Sequence, residues 1–189
     1  MMKEKKILSI IKECLNGNKE AFSQIIRDFQ KQIFSLCLQF LNSPQDAEDA
    51  TMDIFLKIYN SLNSYNPDYK FKNWIFRIAI NHITDILRKR RREKIIFSEF
   101  PEEIRHNEPK TPEFIFFKKL EINRVKEAIK QIPQRYKTVL MLKYYHDFSY
   151  EQIAEILNIP RNTVASLIFR GKQELRKKLV ITGGNNEMF

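Results

Sequence analysis

The chain predicts an all-α protein: two small helical domains joined by a linker, the C-terminal one carrying a helix-turn-helix. Three observations carry this. Apolar residues recur mostly at three- and four-residue spacing, and no convincing alternating strand is present. Glycines and prolines are few, at four and seven in 189 residues, so helical patterns are seldom interrupted. Residues 149–170 read as two helices with a short turn between them, the second able to lie in a DNA groove.

Hydrophobic content of 43% is enough for a buried core, and 12% aromatics argues against global disorder. From about Asn18 to Glu93 the pattern is continuously helical, with members at roughly 20–41, 44–63 and 72–93. Ser43-Pro44-Gln45-Asp46 starts the second of these: a cap, a proline in the first turn and an acid near the positive end of the dipole. Ala47, Ala50, Ile54, Ile58 and Leu62 form its buried stripe, while Asp46, Asp49 and Asp53 fall at i, i+3 and i+7 on an exposed face. Helix-dipole complementation accounts for Asp46 but less well for Asp53, which lies beyond the first turn. In a basic chain, a one-sided acidic ridge suits docking to a basic protein.

The loop Tyr65–Trp74 alternates aromatics with basic and polar groups. Aromatic faces stack on unpaired bases while Lys70 and Lys72 approach the backbone. The plainer alternative is that Phe71 and Trp74 close the core at a helix end. Residue type favours that for Trp74 and leaves Tyr65 and Tyr69 open. The next helix has Ile75, Ile78, Ala79, Ile83, Ile86 and Leu87 on its apolar side and ends in five consecutive cations, Arg88 to Arg92. A helix C-terminus needs only one or two charges, so a phosphate-contacting surface is the better account.

Residues 94–120 change character: Pro101, Pro109 and Pro112 punctuate a Glu-, Lys- and Asn-rich segment, as in a linker. Periodicity returns at Ile122, Val125, Ile129 and Ile132, stops at Pro133 and resumes over Tyr136 to Tyr145. Ser149 and Gln152 then make a capping box, Ile153, Ala154 and Leu157 an apolar stripe, and Asn158 the turn. Pro160 opens the reading helix, whose buried face is Val164, Ile168, Gly171 and Leu175. Residues 181–189 form a frayed tail.

The net charge of +10 favours a polyanionic partner without distinguishing nucleic acid from phospholipid. It divides evenly: residues 1–100 hold 17 basic and 12 acidic groups, and 101–189 hold 16 and 11. No apolar signal segment and no run of transmembrane length is seen, so a soluble, cytoplasmic protein is expected, with no membrane partner. Cys14 and Cys37 read as buried free thiols. His82, His106 and His146 have no ligand-spaced companions, and no phosphate-cradling loop or nucleophile motif is present. No metal, cofactor or catalytic residue is expected, and the chain is not read as an enzyme.

Four motifs in order resemble the sigma-70 family of bacterial RNA polymerase sigma factors, in its small extracytoplasmic-function type. They are Asp46-Ala-Glu-Asp-Ala50 with Ile54-Phe55, Phe71-Lys-Asn-Trp-Ile-Phe-Arg-Ile-Ala-Ile-Asn81, Asp85-Ile-Leu-Arg88 with its basic run, and Ile132-Pro133 leading into the helix-turn-helix. The larger family members carry further domains for which this length leaves no room. The resemblance implies that residues 1–93 are sigma region 2, residues 94–120 the linker, and residues 121–180 sigma region 4.

By that resemblance Asp46, Asp49, Asp53 and Phe55 meet the β′ clamp helices of core RNA polymerase. Tyr65, Tyr69, Phe71, Lys72, Trp74 and Asn81 hold and melt the promoter −10 element, while Arg88, Arg90, Arg91 and Arg92 meet its backbone. Region 4 docks on the β flap and reads the −35 element through Arg161, Asn162, Thr163, Ser166 and Arg170. An anti-sigma protein is a further partner implied by the family alone. Relatives commonly carry basic residues where this chain has Ala165 and Leu167, so weight falls on Arg161, Asn162, Ser166 and Arg170, and Arg161 suits either a guanine edge or a phosphate. A simple helix-turn-helix regulator leaves the acidic ridge and the aromatic loop idle, and an RNA-binding adaptor leaves the duplex reader idle.

Overall fold

The computed structural model describes residues 4–97, 124–125 and 127–181, which fall into two compact units. The first unit opens with α1 (Glu4–Leu15), a helix outside the three expected after Asn18. Ile7, Ile10, Ile11 and Cys14 are its buried residues, at a spacing that puts them on one face. Gly17 leaves the helix with φ +95°, a conformation only glycine takes without strain. Asn18 Oδ1 then accepts from Ala21 N at 3.3 Å and caps a 3₁₀ turn, Lys19–Ala21.

α2 (Phe22–Leu41) is the central member of this unit, packed on α1, α3 and α4. It buries Ile25, Phe29, Ile33, Leu36 and Cys37 completely or nearly so. Asn42, at φ 57°, ends it in a left-handed cap whose N–H donates to the Leu38 carbonyl at 3.0 Å. α3 (Pro44–Asn60) starts at once, because Ser43 Oγ accepts from Asp46 N at 3.3 Å and Pro44 supplies a helical φ. Ala47, Ala50, Ile54, Ile58 and Leu62 are all buried, as their spacing predicts.

α4 (Phe71–Phe97) continues four residues into the stretch read as linker. The remainder of that linker, 98–120, and the tail beyond residue 181 lie outside the described residues. Cys14 and Cys37 are buried free thiols, and burial pushes the Cys37 thiol up to about 11.

In the second unit, helical residues 127–131 precede α5 (Gln134–Tyr144), α6 (Tyr150–Leu157) and α7 (Arg161–Ile181). Ala128 and Ile132 supply the buried register of the first segment, whereas Val125 is exposed. Of the expected stripe, Ile132 is buried and Ile129 half-buried, while Ala128 takes the buried place that Val125 does not. Both arms of the Ser149–Gln152 capping box are formed, at 3.2 and 2.8 Å.

α6 buries Ile153 and Ile156, leaving Ala154 and Leu157 half-buried, because the 153–156 side is the one turned to α5 and α7. Asn158 turns the chain at φ 53°. Gly171 then lets α7 lie close on α5, since a Cβ there would stand 3.2 Å from Tyr136 Cβ and Leu140 Cδ1. Among the described residues there is no strand, and no helix is long and apolar enough to cross a membrane.

Candidate polymerase and nucleic-acid interfaces

The α3 residues that avoid the core fall on two surfaces. Asp49, Met52 and Leu56 are exposed and face away from the Ile54–Ile58 stripe; Met52 is 67% and Leu56 61% exposed. Asp46 and Asp53 stand on the flank beside α4. There Asp46 Oδ1 meets Arg90 Nη2 at 2.8 Å, and Asp53 Oδ2 lies 3.6 Å from His82 Nε2.

Lys57 Nζ donates to His82 Nδ1 at 2.7 Å, which leaves the ring proton on Nε2, toward Asp53. Burial, then the Lys57 charge, hold His82 below its ordinary pKa. Asp49 has no ion pair among the described residues. The expected ridge is therefore a mixed surface: Asp49 stands exposed with Glu48, Met52 and Leu56, Asp46 is paired with Arg90, and Asp53 is exposed beside His82.

Phe55 does not belong to that surface. It is 6% exposed and packs edge-on against Phe22 at 6.4 Å, one residue off the Ile54 stripe and still inside the core. Met52 and Leu56 were not singled out in the sequence. Their signal is positional: they lie opposite Ala50, Ile54 and Ile58 on a helix that already has a complete apolar stripe.

The loop between α3 and α4 is ordered by its own side chains. Tyr65 Oη donates to the Tyr69 carbonyl at 2.6 Å, and Asn66 Oδ1 accepts from Asp68 N at 3.0 Å across Pro67. Phe71, Tyr65 and Trp74 form a ring cluster with centroids 5.0 to 5.5 Å apart, and Phe71 also meets Phe29 at 6.0 Å.

Phe71 is fully buried, so it closes the core and cannot stack on a base, while Tyr65 and Trp74 are half-buried above it. Tyr69 is exposed, as are Lys70 and Asn81. Lys72 Nζ lies 5.6 Å from the Phe76 ring centroid.

The cationic end of α4 is partly neutralised within the unit. Arg88 pairs with Asp85 at 3.2 Å, Lys89 with Glu93 at 3.9 Å, and Arg90 with Asp46. Arg91 and Arg92 are exposed with no ion pair among the described residues.

On α7 the core register Val164–Ile168–Gly171 turns Asn162, Ser166, Phe169 and Gln173 outward, with Thr163 and Arg170 exposed beside them. Phe169, 63% exposed, is a member of this surface that the sequence pattern alone did not mark. Ser166 Oγ donates to the Asn162 carbonyl at 3.0 Å, leaving its lone pairs outward. Ala165 and Leu167 are half-buried at its margins. At the head of the helix Arg161 Nε donates to Glu151 Oε1 at 2.5 Å, with its guanidinium 5.9 Å from the Tyr150 ring.

Among the described residues no group of His, Cys, Asp and Glu is placed to hold a metal ion. The surfaces described are a mixed acidic and apolar helix face, an aromatic loop, a cationic helix end and the polar outward face of α7.

Comparison with known proteins matches both units. The family described as Sigma-70 region 2 matches residues 25–93, and Sigma-70, region 4 matches residues 122–175. The ECF RNA polymerase sigma factor SigW of Bacillus subtilis is 32% identical over 180 residues, covering 89% of this chain and 94% of that protein. The RNA polymerase sigma-H factor of Pseudomonas aeruginosa is 29% identical, covering 95% of this chain and 96% of its own.

Among solved structures, CnrH in complex with the cytosolic domain of CnrY aligns with TM-score 0.69 at 20% identity, over 96% of this chain and 100% of that one. The sigma factor RpoE from Bartonella quintana, in complex with the anti-sigma factor NepR, aligns with TM-score 0.67 at 21% identity over 85% and 97%. With a relative this similar along almost its full length, the chain belongs to the extracytoplasmic-function RNA polymerase sigma factors of the sigma-70 family.

Proposed function

We propose that this chain binds core RNA polymerase and directs promoter-specific initiation by recognising and opening promoter DNA. The observation that carries the reading is the outward face of α3. Asp49, Met52 and Leu56 put acid and exposed apolar surface on a chain of net charge +10. Such a face repels phosphate and suits a protein with basic and apolar groups, for which the β′ clamp helices are the proposed partner.

The remaining surfaces then divide the DNA work. Tyr69, with the half-buried Tyr65 and Trp74, offers aromatic surface to unpaired bases of the −10 element, and Asn81 offers an amide. Arg91, Arg92 and the neighbouring Arg88 and Arg90 meet phosphates. Asn162, Thr163, Ser166 and Arg170 face the −35 element, while the β flap carries this unit. Residues 94–120 connect the two units. Polymerase performs the catalysis; this chain contributes binding energy and positioning, in the cytoplasm where polymerase acts. The solved neighbours bound to CnrY and NepR support proposing an inhibitory anti-sigma partner as well.

The test is reconstitution. The full chain should co-elute with core polymerase and start run-off transcripts from a restricted promoter set. A chain that binds a specific duplex by itself yet neither binds core nor starts transcripts is a simple regulator.

A further inference from the structure

We propose that Glu151 is a positioning residue that makes Arg161 a reader of a base edge, with guanine as its target, rather than a phosphate clamp. This rests on the reading of the second unit as the duplex-binding one. Glu151 is the second residue of α6 and Arg161 the first of α7, and the left-handed turn at Asn158 brings them together. Glu151 Oε1 accepts from Arg161 Nε at 2.5 Å. Both side chains are about 60% exposed, at 63% and 60%, so the pair contributes little to folding. Its consequence is for whatever approaches the helix head.

Two arguments favour the base edge. The first is charge. A guanidinium matched by a carboxylate forms a pair of near-zero net charge, and Glu151 repels any phosphate that comes near it. The hydrogen bond from Arg161, then those from its own backbone N–H and the Ser149 hydroxyl, hold the Glu151 carboxyl down to about 2, so it stays ionised. A phosphate contact draws its strength from cationic charge and counterion release, and this pair offers little of either.

A guanine edge is neutral and presents O6 and N7 as acceptors, so it rewards geometry instead. The second argument is therefore orientation. With Nε engaged, the Nη1 and Nη2 donors remain as an end-on fork. The Tyr150 ring stands 5.9 Å from the guanidinium, with Lys143 Nζ 5.6 Å from the same ring, and a cation–π contact there favours one orientation of the fork. Because Ala165 and Leu167 are uncharged, Arg161 and Arg170 are the cations available in residues 161–171.

The experiment uses holoenzyme assembled from the full chain and core polymerase. Its affinity is measured on promoter duplexes altered one base pair at a time across the upstream element, at several salt concentrations. Arg161→Ala should erase a preference of about tenfold or more at one G·C pair, leaving the other positions and the salt slope unchanged. Glu151→Ala should blunt the same position while raising affinity for every duplex and steepening the salt slope by about one. Glu151→Gln, which keeps the acceptor and loses the charge, should steepen the slope and keep most of the preference.

Glu151 also accepts from the Ser149 hydroxyl in the first turn of α6, so helical content is measured in each variant, and Glu151→Gln, which keeps an acceptor there, separates a weakened helix start from a lost positioning contact. Uniform weakening by Arg161→Ala with a shallower salt slope overturns the proposal, since that is a phosphate contact. An unchanged base profile in Glu151→Ala overturns it too. A wild-type holoenzyme with no upstream preference at all overturns the underlying reading of the second unit instead.

Discussion

Arg90 Nη2 stands 2.8 Å from Asp46 Oδ1, tying the basic end of α4 to the first turn of α3. The Ser43 hydroxyl, then Arg90, hold the Asp46 carboxyl below its ordinary range. The two side chains are 38% and 39% exposed, so the pair stabilises the unit by less than about 1 kcal/mol. Its interest is that it joins a carboxylate proposed for polymerase to a cation proposed for DNA. Asp46→Asn should leave the thermal midpoint nearly unchanged and release Arg90. Promoter binding by holoenzyme should then show a salt slope steeper by up to about one. An unaltered slope means that Arg90 does not reach a phosphate.

The outward face of α3 predicts a separable defect. Asp49→Lys combined with Leu56→Ser should weaken association with core polymerase by about tenfold or more, because both residues are exposed and no buried group is lost. Helical content and thermal midpoint should match the parent. Full affinity in a folded variant would reduce this face to ordinary solvated surface.

In the loop, neighbouring aromatics should behave oppositely. Phe71→Ala removes a fully buried ring and should cost about 3–5 kcal/mol of stability. Tyr69→Ala should change stability by no more than about 0.5 kcal/mol while slowing open-complex formation. Urea unfolding followed by the fluorescence of Trp74, the single tryptophan, measures the first effect from 5.5 Å away. If Tyr69→Ala opens promoters at the parental rate, stacking is not its role.

Lys137 on α5 is 5% exposed, and burial, helped by Lys130, lowers its pKa to about 8. Below about 8 the ammonium is charged whether the unit is folded or not, so the burial cost is fully present. Between about 8 and about 10.5 the folded state releases its proton while the unfolded state keeps it, so stability rises with pH. Lys137→Met should raise stability at neutral pH by about 1–3 kcal/mol and remove that rise. Methyl NMR signals of Val139 and Leu142, followed through urea titrations on both sides of the window, report it. A pH-independent parent would contradict the burial cost.

Residues whose neighbours are close in sequence were readable before the fold was known. Ser43-Pro44 starts α3, the Ala47–Leu62 stripe is buried as spaced, and Ser149, Gln152 and Asn158 build the turn motif they spell. Local chemistry decides each of these. The family resemblance makes Phe55 and Phe71 contact residues, yet an aromatic beside a stripe can face either way, and only packing against Phe22 and Phe29 decides. The pairings of Asp46 with Arg90 and of Lys57 with His82 join different helices, so no spacing rule reveals them. They also change the candidate sites: part of the acidic ridge and part of the basic run neutralise each other. α1 is legible in principle, since Ile7, Ile10, Ile11 and Cys14 follow the helical period, although it precedes Asn18, where the expected helices begin.

The most direct test of the central claim is the permanganate reactivity of thymines in the −10 region of a duplex promoter. The reaction is run with the full chain alone, with core polymerase alone, and with both. The account predicts a reactive window only when both are present, because α3 must dock on polymerase before the loop and the cations of α4 can hold the opened strand. No window with both present, together with an unchanged duplex footprint from the chain alone, would contradict it.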